Sequence, residues 1–356
     1  QPFLVLERGS ALGGEHTWSF HLSDLAGATW LRPLVTCEWP GYEVRFPKYV
    51  RHLQMPYAAI RSRDLAQRVE PLLGSCVRLG CEVARLAPDH VELVDGERLE
   101  AALVVDGRGF PQGRMQVSGW QTFFGQFVRT AEPHGLREPT LMDATVGQGE
   151  AYRFIYVLPW SPDCLLIEDT RYADGPERDE AGSAEAIAAY ARSRGWRIAE
   201  VLEQESASLP IPCGDELTPQ LPADGIIRSG VGAGLYHATT GYSLGQAVAF
   251  AETFVERLGS PTLADELRRY AEVQWRRGAF LRRLNAMMFR AAEPGRRWRV
   301  MQQFYRRDAR LIARFYAMDL KIWDYLRLVT GVPPVPLGRG LMTFFKPNGG
   351  LKHVTT

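Results

Sequence analysis

Arg228-Ser-Gly-Val-Gly-Ala-Gly-Leu-Tyr-His-Ala-Thr-Thr-Gly-Tyr-Ser243 is the stretch on which the fold turns. A short apolar strand, Gly225-Ile-Ile-Arg228, precedes it, and Leu244-Gly-Gln-Ala-Val-Ala-Phe-Ala-Glu252 follows it as a helix start. Strand, glycine-dense turn and helix together aim backbone N–H groups at an anion. Glycine suits the turn because it lets the backbone approach closely and take positive φ. This late in a long α/β chain, the turn predicts the second contact of a flavin dinucleotide. A plain tight turn packing a helix on a sheet would use the same residues.

Two other segments point the same way. The chain opens Phe3-Leu-Val-Leu-Glu7-Arg-Gly9, with Gly13 and Gly14 close behind. An apolar strand ending in an acid is the second strand of a dinucleotide-binding unit, where the carboxylate takes the ribose hydroxyls. Leu103-Val-Val-Asp-Gly-Arg-Gly109 is another apolar strand, ending in Asp106, Gly107 and Gly109. Such a unit normally starts with strand, G-x-G-x-x-G and helix, about 20 residues before the ribose acid. Gln1-Pro2 abuts the second strand directly, so we expect that first βα unit ahead of Gln1. Residues 1–356 alone are then expected to bind flavin poorly.

At 356 residues the chain can bury a large core in two domains or one elaborated domain. Its hydrophobic content of 46% and charged content of 23% are globular values. A formal net charge of +1 argues against nucleic acid as a partner. No apolar run reaches the roughly 18 residues a bilayer span needs. Cys37, Cys76, Cys81, Cys164 and Cys213 are scattered, which suggests reduced thiols in a cytoplasmic setting and no metal site.

We expect an α/β architecture: a Rossmann-like FAD-binding domain lacking its first βα unit, an inserted antiparallel-sheet domain and a C-terminal helical region. The boundaries fall at 1–118 for the first part of the cofactor domain, 119–224 for the inserted substrate domain, 225–260 for the return segment and 261–356 for the helices. Ser62 opens a helix to about Leu73, Cys76 to Val94 alternates as strands, and Leu99 to Val105 reads as the cofactor domain's third strand. Trp120–Thr130, Leu141–Val146, Ala151–Pro159 and Cys164–Thr170 read as the inserted sheet. Glu177–Gly195 reads as a helix, followed by an extended Ile198–Ser206.

The inserted sheet carries the acid/base candidates. Leu165-Leu-Ile-Glu-Asp-Thr170 is an apolar strand ending in adjacent acids, and successive strand residues face opposite ways. Glu168 and Asp169 therefore cannot both face one pocket, and the pattern leaves open which one does. A desolvated carboxyl at such a site can stay protonated near neutral pH and act as a general acid. A solvated strand end would look the same. Asp143, in Pro139-Thr-Leu-Met-Asp143, is a further candidate. His237 and Tyr242 flank the glycine turn, where a lone His is more often a packing residue than a base.

In the C-terminal region, Arg268, Arg269, Arg276, Arg277, Arg282, Arg283, Arg296, Arg297 and Arg299 stand beside Trp275, Phe280, Phe289 and Trp298. An ordinary amphipathic cap fits this pattern. A membrane-surface face fits it too, because cations opposite Trp and Phe suit a lipid interface.

His16-Thr-Trp-Ser-Phe20, Pro139-Thr-Leu-Met-Asp143, Tyr152-Arg-Phe-Ile-Tyr-Val-Leu-Pro159, Leu165-Leu-Ile-Glu-Asp-Thr170 and Gly234-Leu-Tyr-His-Ala-Thr-Thr-Gly-Tyr-Ser-Leu244 together resemble the bacterial lycopene β-cyclases. Arg314-Phe-Tyr-Ala317 and Gly331-Val-Pro-Pro-Val-Pro336 extend the resemblance. The chain departs from the family pattern at Ala238 and Gly245, where Pro is usual, and at Gly232, where the family has a basic residue. The resemblance implies FAD, used reduced and without net redox change, with NAD(P)H as reductant. It implies a lycopene-like C40 polyene as substrate, its ψ ends closed to β-ionone rings by protonation, ring closure and proton loss. The family's acidic segment maps onto Glu168 and Asp169. The candidate flavin contacts are Glu7, Gly13, Gly14, Asp106, Gly107, Gly109, Gly230, Gly232, Gly234, His237, Thr240 and Gly241. A hydrocarbon substrate implies peripheral docking on the inner face of the cell membrane. A redox flavoenzyme, such as a monooxygenase or desaturase, and a non-catalytic carotenoid binder remain open.

Overall fold

In chain order the strands are β1 (Val5–Leu6), β2 (Thr17–His21), β3 (Cys37–Trp39), β4 (Tyr42–Phe46), β5 (Tyr49–Leu53), β6 (Tyr57–Arg61), β7 (Val77–Arg78), β8 (Val83–Leu86), β9 (His90–Leu93), β10 (Arg98–Glu100) and β11 (Val105–Asp106). β12 (Gly119–Thr130), β13 (Thr140–Asp143), β14 (Tyr152–Ser161), β15 (Cys164–Ala173), β16 (Ile198–Ile211) and β17 (Ile227–Arg228) complete the set. The helices are α1 (Ser62–Leu73), α2 (Glu180–Ser193), α3 (Leu244–Arg257), α4 (Leu263–Arg277), α5 (Ala279–Ala291), α6 (Trp298–Tyr305), α7 (Ala309–Tyr316), α8 (Ile322–Val329) and α9 (Leu337–Phe345). This computed structural model describes residues 3–14, 16–25, 27–110, 117–330 and 335–346.

A seven-stranded sheet of order β16-β12-β15-β14-β13-β4-β5 forms the centre. Its pairings are antiparallel except β13 with β4, which run parallel. β4 and β5 come from well before residue 119, so this sheet is not confined to the 119–224 segment. The short parallel β13–β4 contact joins the early hairpin to the later strands.

Both faces of the sheet are covered, which is why Leu165, Leu166 and Ile167 are all buried in a continuous apolar run. On one face α2 packs Ile187, Tyr190 and Ala191 against Phe124, Val128, Ile155, Val157, Leu165 and Ile167. Asp179 caps α2 by accepting a hydrogen bond from Gly182 N at 2.9 Å. The opposite face carries Phe127, Phe154, Tyr156, Leu166 and Tyr172, covered by Leu281, Met288, Phe289, Met301, Tyr305, Phe315 and Tyr316 of α5 to α7. The expected helical region from residue 261 onward thus breaks into separate helices: α5 to α7 cover this face, while α4 packs Leu263, Leu267 and Ala271 with Ile227 and Phe250.

Two buried arginines tie the helices down. Arg297 donates to Phe289 O, Tyr172 O and Asp174 Oδ1, and Arg282 donates to Trp275 O and Gly214 O. Each guanidinium satisfies several backbone carbonyls at once, as a buried cation must.

On the cofactor side, β1 pairs in parallel with β7, and β11 in parallel with β17. Among the described residues these are two separate two-stranded pairs. The expected third strand over Leu99–Val105 divides. Arg98–Glu100 joins an antiparallel sheet with β8 and β9, and only Val105–Asp106 pairs with the strand before the glycine turn. A small sheet of order β2-β6-β3 lies against α3, with Phe20, Ala58 and Ile60 packed on Val248.

Candidate active site

Strand alternation separates the adjacent acids. Leu166, Glu168, Thr170 and Tyr172 face the C-terminal helices, and Leu165, Ile167 and Asp169 face α2. Asp169 is fully buried on the α2 side. It accepts from Arg153 Nε at 2.7 Å, from Arg171 Nη2 at 3.0 Å and from the Ser183 hydroxyl at 2.8 Å. Asp143 lies on that same face, opposite Ile155, which in turn stands opposite Asp169. It accepts from the Tyr190 hydroxyl at 2.9 Å and from Thr145. Both aspartates therefore have saturated polar partners under α2, and the structure does not bring either to the face that holds Glu168.

Glu168 is enclosed by the surrounding elements yet keeps some accessible surface, on the face that α5 to α7 cover. Its row across the sheet reads Glu205 on β16, Gly125 on β12, Glu168 on β15 and Tyr156 on β14. The Thr170 hydroxyl, two residues along the same strand, donates to the Glu168 carboxyl. Glu205 accepts from the Thr17 hydroxyl at 3.1 Å. Loss of water pushes the Glu168 pKa up to about 8, and the charge of Glu205 pushes the same way against the Thr170 hydrogen bond. Desolvation raises Glu205 to about 7, against Thr17 and Arg61, which favour its charged form. Glu168 is thus a neutral carboxylic acid at pH 7.

Tyrosines ring the pair. Tyr57 OH lies 3.3 Å from Tyr156 OH and 2.7 Å from Tyr242 OH, and burial raises the phenols of Tyr57, Tyr156 and Tyr172 well above their usual range. Tyr316 stacks on Tyr242. The result is a polyaromatic wall with a neutral acid set into it. His21 and His237 are not competing acids. Burial lowers them to about 3 and 4, so both are neutral. His237 is pinned in place: its Nε2 bonds to Phe315 O at 3.0 Å, and its Nδ1 accepts from the Thr239 and Thr240 backbone N–H groups. This is the packing role that a lone His suggests.

The glycine turns meet. A Cβ on Gly232 would stand 2.4 Å from Gly109 O, so the loops after β11 and β17 touch backbone to backbone. Gly230, Gly234 and Gly241 all take positive φ. α3 begins directly after the turn and has no side-chain cap at Ser243. Around that start, Asp24 Oδ1, Gln121 Oε1, Thr239 Oγ1 and Gln246 Oε1 are buried without a hydrogen-bond partner. A glycine cradle, an uncapped 14-residue helix and orphaned polar atoms fit a polar, phosphate-bearing cofactor. Elsewhere the fit is weaker. Glu7 Oε1 accepts from Gly9 N at 2.6 Å, Asp106 pairs with Arg108 at 2.9 Å, and His237 and Thr240 are buried and bonded to each other. Gly13 and Gly14 take positive φ beside Trp18, Ser62 and His16, and Gly107 stands in open space.

A protein-family model described as Lycopene cyclase protein matches residues 3–342. The chain belongs to the lycopene cyclase family. It is 47% identical over 340 residues to a lycopene beta-cyclase of Pseudescherichia vulneris, covering 94% of this chain and 88% of that protein. A lycopene beta-cyclase of Paracoccus sp. (strain N81106 / MBIC 01143) is 41% identical over 346 residues, covering 95% and 89%. Among solved structures, a geranylgeranyl bacteriochlorophyll reductase-like protein from Thermoplasma acidophilum superposes with a TM-score of 0.58 at 11% identity, covering 92% of this chain and 89% of that one. A flavin-dependent brominase gives 0.54 at 14% identity, with 88% and 87% covered. At these identities the two structures speak to fold alone, and they agree with the α/β reading.

For this cyclase-family chain, sequence reasoning reached Glu168 and Asp169 without choosing between them, added Asp143 and named Tyr242, and missed Glu205, Thr17, Tyr57 and Tyr156. One signal was available. Gly125 interrupts the bulky alternation of Trp120–Thr130, and a glycine inside a strand marks a close approach of its neighbours.

The aromatic side chains of the Arg-rich helices are not a surface face. Trp275 and Phe289 are buried, Phe280 and Trp298 pack against the main core, and Arg282 and Arg297 are buried too. The exposed apolar side chains lie further along, on α8 and α9: Ile322, Trp323, Leu326, Leu341, Met342 and Phe345. Tyr325 and Phe344 both pack on Phe280, which sets α8 and α9 against the same helix. No helix among the described residues is long and apolar enough to cross a membrane.

Proposed function

We propose that this protein is a lycopene β-cyclase, closing the ψ ends of lycopene or a related C40 polyene into β-ionone rings with Glu168 as the general acid. The observation that carries this reading is Glu168 itself: a carboxyl kept neutral at pH 7 by burial, partly accessible and set among tyrosines. A hydrocarbon offers no hydrogen bonds, so its binding rests on apolar burial against such aromatic side chains. Glu168 gives its proton to the terminal double bond. The neighbouring alkene attacks the resulting cation, and loss of a ring proton leaves the β double bond. The π faces of Tyr57, Tyr156 and Tyr242 stabilise positive charge as it moves. FAD, reduced by NAD(P)H, would supply negative charge beside that cation. Gly109, Gly230, Gly232 and the start of α3 are the residues that would hold it.

Asp169 and Asp143 act in this reading as buried supports of the acidic strand. Peripheral docking on the inner face of the cell membrane, on an anionic bilayer, belongs to the same proposal, because the substrate lives there. α8 and α9 are the fitting surface, with Lys321, Arg327, Arg339 and Lys346 exposed around the apolar side chains.

Expression in a lycopene-making host, with pigment analysis, tests the activity. The expected products are γ- and β-carotene, and unchanged lycopene would sink the proposal. Anaerobic assay with chemically reduced FAD and no nicotinamide should give multiple turnovers. One NAD(P)H oxidised per ring would favour a redox flavoenzyme instead.

A further inference from the structure

Gly125 sits between two glutamates on the pocket face, opposite Glu168 on one side and Glu205 on the other. A Cβ placed on Gly125 would lie 3.3 Å from Glu205 Cγ and 3.4 Å from Glu168 Cγ. The two carboxyl stems thus flank the same bare stretch of backbone, which the Leu166 side chain also approaches, its Cδ1 3.3 Å from that Cβ. Burial opposes ionisation of both, and a like charge this near adds to it, so the pair holds a proton more firmly than burial alone would.

We propose that Glu205 is a positioning residue that shares a proton with Glu168 across Gly125 and keeps Glu168 protonated for the step in which it donates. This rests on Glu168 being the acid. The proton count balances. The Glu168 O–H breaks as the new C–H of the substrate forms, and the later ring C–H breaks as its electron pair becomes the ring double bond. The released proton returns to the carboxylate pair, so each closure leaves the site ready for the next with no net proton gain or loss.

Every element around the pair contributes. β2 supplies the Thr17 hydroxyl to Glu205. β6 supplies Arg61, which is held by Glu203 of β16 and favours the charged form of Glu205. β14 supplies Tyr156, β6 Tyr57 and the glycine turn Tyr242, all neutral phenols. On β15, Thr170 donates to Glu168, and the charge of Asp169 on the far face acts in the same direction as Glu205. Arg61 therefore favours charge on Glu205, and that charge adds to burial, the larger cause, in keeping Glu168 neutral. A carboxylate at 205 raises the pKa of Glu168, and an amide there does not.

The test is the pH profile of cyclisation by the FAD-loaded protein, with Glu205→Gln, Glu205→Asp and Glu168→Gln side by side. Wild-type activity should fall as pH rises through about 8. In Glu205→Gln the alkaline limb should move to lower pH by about one unit, giving roughly a tenfold loss at pH 8 relative to its own acidic plateau, against about twofold in wild type. Glu205→Asp keeps the charge and should lie between the two. If Glu205→Gln does not fold, a Glu205→Asp limb shifted the same way supports the proposal, and an unshifted one overturns it. The infrared band of a protonated carboxyl should persist to higher pH in wild type than in Glu205→Gln. Superimposable profiles for wild type and Glu205→Gln would overturn the proton-sharing role while Glu168 stands. An active Glu168→Gln would instead overturn the assignment of the acid beneath it.

Discussion

Asp169→Asn and Glu168→Gln are neighbouring changes that the structure assigns to opposite failures. Asp169 has no exposed side-chain surface and holds Arg153 and Arg171, themselves 21% and 28% exposed. Removing its charge strands two guanidinium groups under α2 and weakens the Ser183 contact. Breaking a fully buried pair costs about 3–5 kcal/mol, and partial access to water for both arginines brings this to about 2–3 kcal/mol. For a chain of 356 residues that corresponds to a melting temperature roughly 3–4 °C lower. The folded fraction should still cyclise within a few-fold of wild type. Glu168 is neutral at pH 7, so glutamine there replaces one uncharged group with another of the same shape. Its melting temperature should not fall, and at pH 7 it should rise by a few °C because glutamine removes the ionisation that favours the unfolded chain, while loss of the proton donor lowers the cyclisation rate by about 10²- to 10⁴-fold. Differential scanning calorimetry and pigment turnover on the same preparations read both effects. The reasoning is refuted if Asp169→Asn melts like wild type yet loses activity, or if Glu168→Gln unfolds the protein.

Stability should depend on pH through the same carboxyls. Their folded pKa values of about 8 and 7 lie above the ordinary 4.5, so the folded state holds protons that the unfolded chain has lost. Stability therefore falls as pH rises from 4.5 towards 8, by up to about 1.4 kcal/mol per pH unit for each group, and Glu168→Gln should flatten that slope in denaturant titrations. Gly232→Ala should lower flavin content and stability together, because its Cβ would collide with Gly109 O at 2.4 Å; a yellow, stable Gly232→Ala protein would show that the two loops can part. Vesicle co-sedimentation should rise with anionic lipid and weaken with salt, and Trp323→Ala with Phe345→Ala should reduce it by tenfold or more, at about 1.5–3 kcal/mol per apolar side chain withdrawn. Equal binding to neutral and anionic vesicles would count against the charge contribution.

What could be read in the sequence divides along a physical line. Local period and turn chemistry are carried by neighbours in the chain, so the apolar runs of β12, β14 and β15, helix α2 and the glycine turn before α3 were legible. The same alternation that required Glu168 and Asp169 to part company left open which one meets the pocket, because facing direction is set by what covers each side of the sheet. Here α2 brings Ser183 to one face and α5 to α7 bring aromatic side chains to the other, and neither fact is local to residues 165–170. Glu205 was hidden for a stronger reason. It lies 37 positions from Glu168 in a strand that reads as polar and exposed, and its meaning depends on the register that sets both glutamates opposite Gly125. A shift of β16 by one residue would turn Glu205 away and bring Gln204 or Ser206 inward. The Arg-rich helices failed in the opposite way, since composition suggested a lipid face where packing had already used the aromatic side chains. An amphipathic helix states that it has an apolar side, and only the tertiary structure states whether protein or lipid lies against it. For α4 to α7 it is protein, and the side chains left uncovered belong to α8 and α9, whose short helices the sequence did not separate from the rest.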